Sequence, residues 1–86
     1  MTYSKLISTP DLVIALEGGL VQAVVTDQSD LVGKELLVID YDTEGADPDE
    51  ISLIPQEDGS IAEACTRWVP VTLASIDIEN IAEPKI

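Results

Sequence analysis

The chain has 86 residues, 45% of them apolar, with seventeen acids against four bases and no histidine, for a net charge of −13. That length supports one domain, residues 1–86, because a second core would have to close with roughly 40 residues, where metals or disulfides are usually needed. The charge argues against direct binding to nucleic acid or to anionic membrane, both of which rely on Lys and Arg meeting phosphate, and a lone Cys65 without histidine leaves no internal disulfide or zinc site to expect.

The first ten residues, MTYSKLISTP, lack the basic start and apolar run of a signal peptide, and no stretch reaches the roughly 18 apolar residues of a membrane span. A cytoplasmic location is the expectation. DLVIALEGGLVQAVVTD then carries two runs of β-forming residues around Gly18-Gly19, the pair that suits a two-residue primed turn. A hairpin follows, with Leu16 opposite Val21, Ile14 opposite Ala23 and Leu12 opposite Val25, giving one wholly apolar face. DQSDLVGK reads as a connector. In KELLVIDYD the four consecutive apolar residues from Leu36 to Ile39 predict a strand buried on both faces.

ISLIP predicts a short strand that Pro55 ends or moves to an edge, and Asp58-Gly59 in QEDGS is a second hairpin signal. IAEACTRWVPVTLAS is a long β-like run, although Ile61 to Ala64 also has helical propensity. Pro70 within it requires an edge position, a bulge or a break. Asp77 can cap a last helical turn with Ile78, Ile81 and Ala82 on its inner side. The fold class expected is α+β and mostly β: an antiparallel sheet of four or five strands with one short C-terminal helical turn.

DYDTEGADPDE, residues 40–50, begins like a calcium loop. Asp40, Asp42 and Glu44 stand at the first, third and fifth positions and Gly45 at the sixth. The second half departs from that pattern. Asp47 occupies the apolar eighth position, Pro48 follows, Ile51 stands where a bidentate Glu belongs, and Glu50 comes one residue early. Asp40, Asp42 and Glu44 are thus weak metal candidates, and a solvated acidic turn is the favoured reading. No cofactor is called for.

Catalysis finds little support. Seventeen acids on one small domain make carboxylate pairs by chance, and nucleophilic mechanisms usually want a histidine base. Cys65 alternates with Glu63 and Arg67 and reads as a structural thiol. EGGL lacks the spacing of a phosphate cradle. A non-enzymatic role is expected. Trp68 shares strand parity with Ala62, Ala64 and Thr66, which suits a large core ring; the alternative is an exposed contact residue, since Trp is frequent among binding hot spots.

No base lies between Lys34 and Arg67, while ten of the seventeen acids do. A field of one sign is costly through like-charge repulsion and would steer association with a basic protein surface. The stretches ALEGGLVQAVVTD, VIDYDTEGADPDE and IPQEDGSIAEA resemble those of small acidic proteins encoded in bacterial and phage genomes, often near mobile elements. That resemblance implies accessory roles, such as inhibition of a host defence or modulation of a regulator, and supplies no site.

The leading expectation is an interaction protein that presents Asp40, Asp42, Glu44, Asp47, Asp49, Glu50 and Trp68 to a basic partner, in the manner of an inhibitor or regulator of a nucleic-acid-binding protein. Two alternatives are a calcium-binding module built on the loop from Asp40 to Glu50 and an oligomeric structural piece using an open sheet edge. Self-repulsion favours a monomer.

Overall fold

A computed structural model describes residues 2–85. The chain divides into two compact units, Met1–Lys34 with Pro70–Ile86, and Glu35–Val69. Seven strands carry the structure, β1 (Thr2–Lys5), β2 (Val13–Glu17), β3 (Leu20–Thr26), β4 (Glu35–Asp40), β5 (Ile51–Pro55), β6 (Ile61–Leu73) and β7 (Ala82–Lys85), with 3-10 turns at Pro48–Glu50 and Ile78–Asn80. The fold is mostly β, as the alternation of apolar residues predicts. Its main sheet has five strands, in the order β2-β3-β6-β4, with β5 also paired to β6. Among the described residues no helix is long and apolar enough to cross a membrane.

In the first unit, β2 and β3 form the expected hairpin. Gly18 and Gly19 take φ values of +60° and +80°, a left-handed pair that a side chain would resist and a primed turn requires. Leu16 pairs with Val21 as predicted, but beyond it the register moves by one residue: Ala15 faces Ala23, Ile14 faces Val24 and Val13 faces Val25. Gln22 is the residue left over. It is the one polar side chain between Leu20 and Val25, so losing it from the ladder as a bulge keeps the apolar residues paired.

Nor is one face of the hairpin sealed. Ile14 and Leu16 remain 58% and 65% exposed, because β2 is the outermost strand and has a neighbour on one edge alone. Burial falls on β3, whose Val24, Val25 and Thr26 are withdrawn from solvent together with Val71 and Ile78. The outer edge of β3 runs parallel to the end of β6, pairing Val24 with Val71, Val25 with Thr72 and Thr26 with Leu73, so the sheet is mixed instead of purely antiparallel.

The buried hydroxyl of Thr26 is satisfied twice, donating to the Asp11 carbonyl at 2.6 Å and accepting from the Gln28 amide at 3.0 Å. The Gln28 side-chain amide also donates to the Asp11 carboxylate. Near the C-terminal end the expected turn is a 3-10 turn. Ile78 is buried beneath it and Ile81 half-buried, but Ala82 is exposed, because the chain turns extended at Ile81 and enters β7. The Asp77 carboxylate caps no backbone amide of the turn and accepts instead from the Asn80 side chain at 2.8 Å. β7 pairs antiparallel with β1, Thr2 opposite Lys85 and Lys5 opposite Ala82, a second small sheet that the sequence pattern did not announce.

In the second unit, β5 and β6 form the hairpin signalled by Asp58-Gly59, with Ile51 opposite Cys65, Leu53 opposite Glu63 and Pro55 opposite Ile61. Ser52, Ile54, Ala62 and Ala64 point to the inner side, where Ala64 is fully buried and the Ser52 and Thr66 hydroxyls meet at 2.8 Å. β4 borders β6. Its apolar run is not covered on both faces as expected: Leu36 and Val38 are half-buried, while Leu37 and Ile39 are exposed, so one face packs and the other stays open.

Along β6 the buried positions change parity. Ala62, Ala64 and Thr66 are turned inward, then Val69 and Val71, and the two residues between, Arg67 and Trp68, are both exposed. The expectation of Trp68 as a core anchor therefore fails, with the ring 63% exposed. The alternation that links it to Ala64 is interrupted before it is reached. Pro70, which lacks an N–H to give, sits just before β6 takes up β3 at Val71, after its pairing with β5 has ended at Cys65. Val71 regains ladder bonds at once, donating to the Lys34 carbonyl at 2.7 Å and accepting from the Gly33 amide at 3.0 Å.

Candidate interaction surface

The connection from β4 to β5 is shaped by its own side chains. The Asp40 carboxylate accepts from the Asp42 amide at 2.9 Å, and the Asp42 carboxylate accepts from the Glu44 amide at 3.1 Å, two successive turns of the kind Asp favours. The Ala46 amide then bonds to the Thr43 carbonyl, across a Gly45 held at φ +79°. Pro48 opens the 3-10 turn, where its fixed φ is an advantage and no donor is lost, and the Glu50 amide closes on the Asp47 carbonyl at 2.9 Å. A loop rich in acid is thereby ordered without one base.

These bonds also bear on the calcium expectation. Calcium needs six or more oxygens converging on a point. Here Asp40 and Asp42 each spend an oxygen on the backbone two residues ahead, and all six acids, Asp40, Asp42, Glu44, Asp47, Asp49 and Glu50, are exposed. Among the described residues no group of three or more acids, cysteines or histidines is placed to hold a metal ion.

The same device recurs in the β5–β6 turn. The Asp58 carboxylate accepts from both the hydroxyl of Ser60, at 2.6 Å, and its amide, at 2.9 Å. The hydroxyl first and the amide second hold the Asp58 carboxyl below the usual aspartate range, so it stays ionised further into acid.

Charge divides unequally between the units. Glu35–Val69 holds ten acids and the single base Arg67, a net −9, and all ten acids are exposed. The other unit holds seven acids with Lys5, Lys34 and Lys85, a net −4 on a longer stretch.

All seven sequence-predicted contact residues belong to the acidic unit, the six loop acids between β4 and β5 and Trp68 on β6. Sequence reasoning missed Leu53 and Ile61. Both are exposed on the outer side of the β5–β6 hairpin, Leu53 opposite Glu63 and Ile61 two residues before it on the same strand. The signal was present in ISLIP and IAEA: Glu63 shares parity with Ile61, and a charged residue on that side marks it as the open one. Cys65, on the same side, is half-buried.

No protein-family model, curated protein or solved structure matches the chain.

Proposed function

We propose that the chain is a non-enzymatic interaction module whose acidic unit binds a basic protein surface. The observation that carries this reading is the coincidence, in one compact unit, of ten exposed carboxylates with an exposed tryptophan. Carboxylates alone would speed encounter and set its orientation. Exposed apolar groups supply what charge does not: Trp68, with Leu53 and Ile61, offers area that gains when water is removed from it. The partner class that fits is a protein with a surface rich in Arg and Lys, as nucleic-acid-binding proteins have, and occupation of that surface would inhibit or regulate it.

The test is capture of partners by the immobilised chain, followed by affinity measurements on the captured protein across a salt series. Affinity should fall steeply from low to moderate salt. Replacing Asp40 and Asp42 by Asn, with Glu44→Gln, Asp47→Asn, Asp49→Asn and Glu50→Gln, should abolish it. Asn retains the carbonyl oxygen that accepts the turn bond, so the loop keeps its shape while losing charge. A complex indifferent to both salt and neutralisation overturns the reading.

A further inference from the structure

We infer that β2 is a self-association edge, on which a second copy of this chain adds its own β2 antiparallel to the first. β2 ends the main sheet and, among the described residues, pairs with β3 alone. Half of its backbone donors and acceptors therefore point off the sheet. Proteins guard such an edge with Lys, Pro, a bulge or brevity. Val13–Glu17 has neither Lys nor Pro, runs five residues, and leaves the hairpin's bulge residue on β3.

Charge selects the occupant. A second copy meets repulsion over most of a −13 chain, yet from Leu12 to Thr26 the one charged residue is Glu17. The sequence of β2, Val-Ile-Ala-Leu-Glu, is also self-complementary about its centre. With Ala15 opposite its own copy, Ile14 meets Leu16 and Leu16 meets Ile14 on one side of the extended sheet, the two aliphatic residues that β2 now leaves open. The same register sets Val13 against Glu17. The two Glu17 carboxylates then lie four residues apart along the strands, about 14 Å at about 3.4 Å per residue, beyond the Debye length of about 8 Å at physiological salt. A twofold axis through Ala15 makes the contact isologous and closed, so it yields a dimer and no fibre.

Sedimentation velocity of the full chain over a wide concentration range at physiological salt should show a monomer–dimer equilibrium. Leu16→Lys, at an exposed position that the folded monomer does not need, should weaken dimerisation at least tenfold while the circular dichroism of the strands persists. Ala15→Cys in a Cys65→Ser background should form an intermolecular disulfide rapidly on mild oxidation, because the residue faces itself. A chain that stays monomeric at every concentration overturns the inference. So does a dimer that Leu16→Lys leaves intact, or an Ala15→Cys chain that does not cross-link. Since the surface lies in the other unit from the acidic one, loss of the dimer would leave salt-sensitive capture of a basic partner untouched, and the two proposals fail separately.

Discussion

Val24 on β3 and Val71 on β6 face each other in a parallel register, and each is almost wholly removed from solvent, at 1% and 2% exposure. Among the described residues few large side chains are buried so completely. Truncating either to Ala should cost about 1.5–3 kcal/mol, the worth of burying such a side chain, read as a lower urea midpoint with unchanged slope. Because the two sit opposite each other, the double variant should lose less than the two single losses combined.

Thr26 offers a sharper test, since its hydroxyl serves two backbone groups at once. Thr26→Val keeps the volume but strands the Asp11 carbonyl and the Gln28 amide. A loss of about 1–3 kcal/mol is expected. Thr26→Ser, which retains the oxygen, should recover most of it. Equilibrium urea unfolding of the three chains in parallel makes the comparison.

The Asp58–Ser60 turn sets a pH-dependence. A carboxyl whose folded pKa is depressed contributes fully above its unfolded pKa, and the contribution is lost as pH falls through the folded value. The turn bonds should therefore persist down through the ordinary aspartate range and give way only in more acidic solution. Ser60→Ala removes the hydroxyl, the first cause of the depression, and should raise the Asp58 pKa toward the ordinary aspartate value. Carboxyl chemical shifts followed by NMR through an acid titration measure both.

Trp68 is the sole tryptophan and stands in solvent, so its emission should be red-shifted and open to acrylamide quenching in the free chain. Trp68→Ala should change stability by no more than about 0.5 kcal/mol, as surface substitutions do. Against a basic partner it should cost about 2 kcal/mol or more, the scale of a hot spot. Protection from acrylamide in the complex, checked by Stern–Volmer slopes, locates the ring in the interface.

What the sequence made legible was local. Gly18-Gly19 and Asp58-Gly59 announced their hairpins because a turn that needs a left-handed backbone leaves a mark in composition, and the concentration of acid between Lys34 and Arg67 is simply additive. β1 and β7 left no mark. Thr2 pairs with Lys85 across almost the entire chain, and TYSK and AEPK show no apolar alternation to reveal it. Side-chain burial was the hardest to foresee. Leu37 and Ile39 lie in a run that looks doubly covered, yet coverage depends on what packs above. The strand period that places Trp68 in the core is one that β6 does not keep between Thr66 and Val69.

The unpaired Gln22 marks the one place in the hairpin where chain length is free to vary. Deleting it leaves all five partnerships between Val13–Glu17 and Leu20–Val25 as they are and merely straightens the ribbon. Deleting Val24 or Val25 instead would remove a residue that pairs with β2 on one side and with β6 on the other. Relatives of this chain that differ in length within these strands should carry the change at Gln22, and a tag or cross-linking residue grafted there should be accepted where its neighbours refuse one.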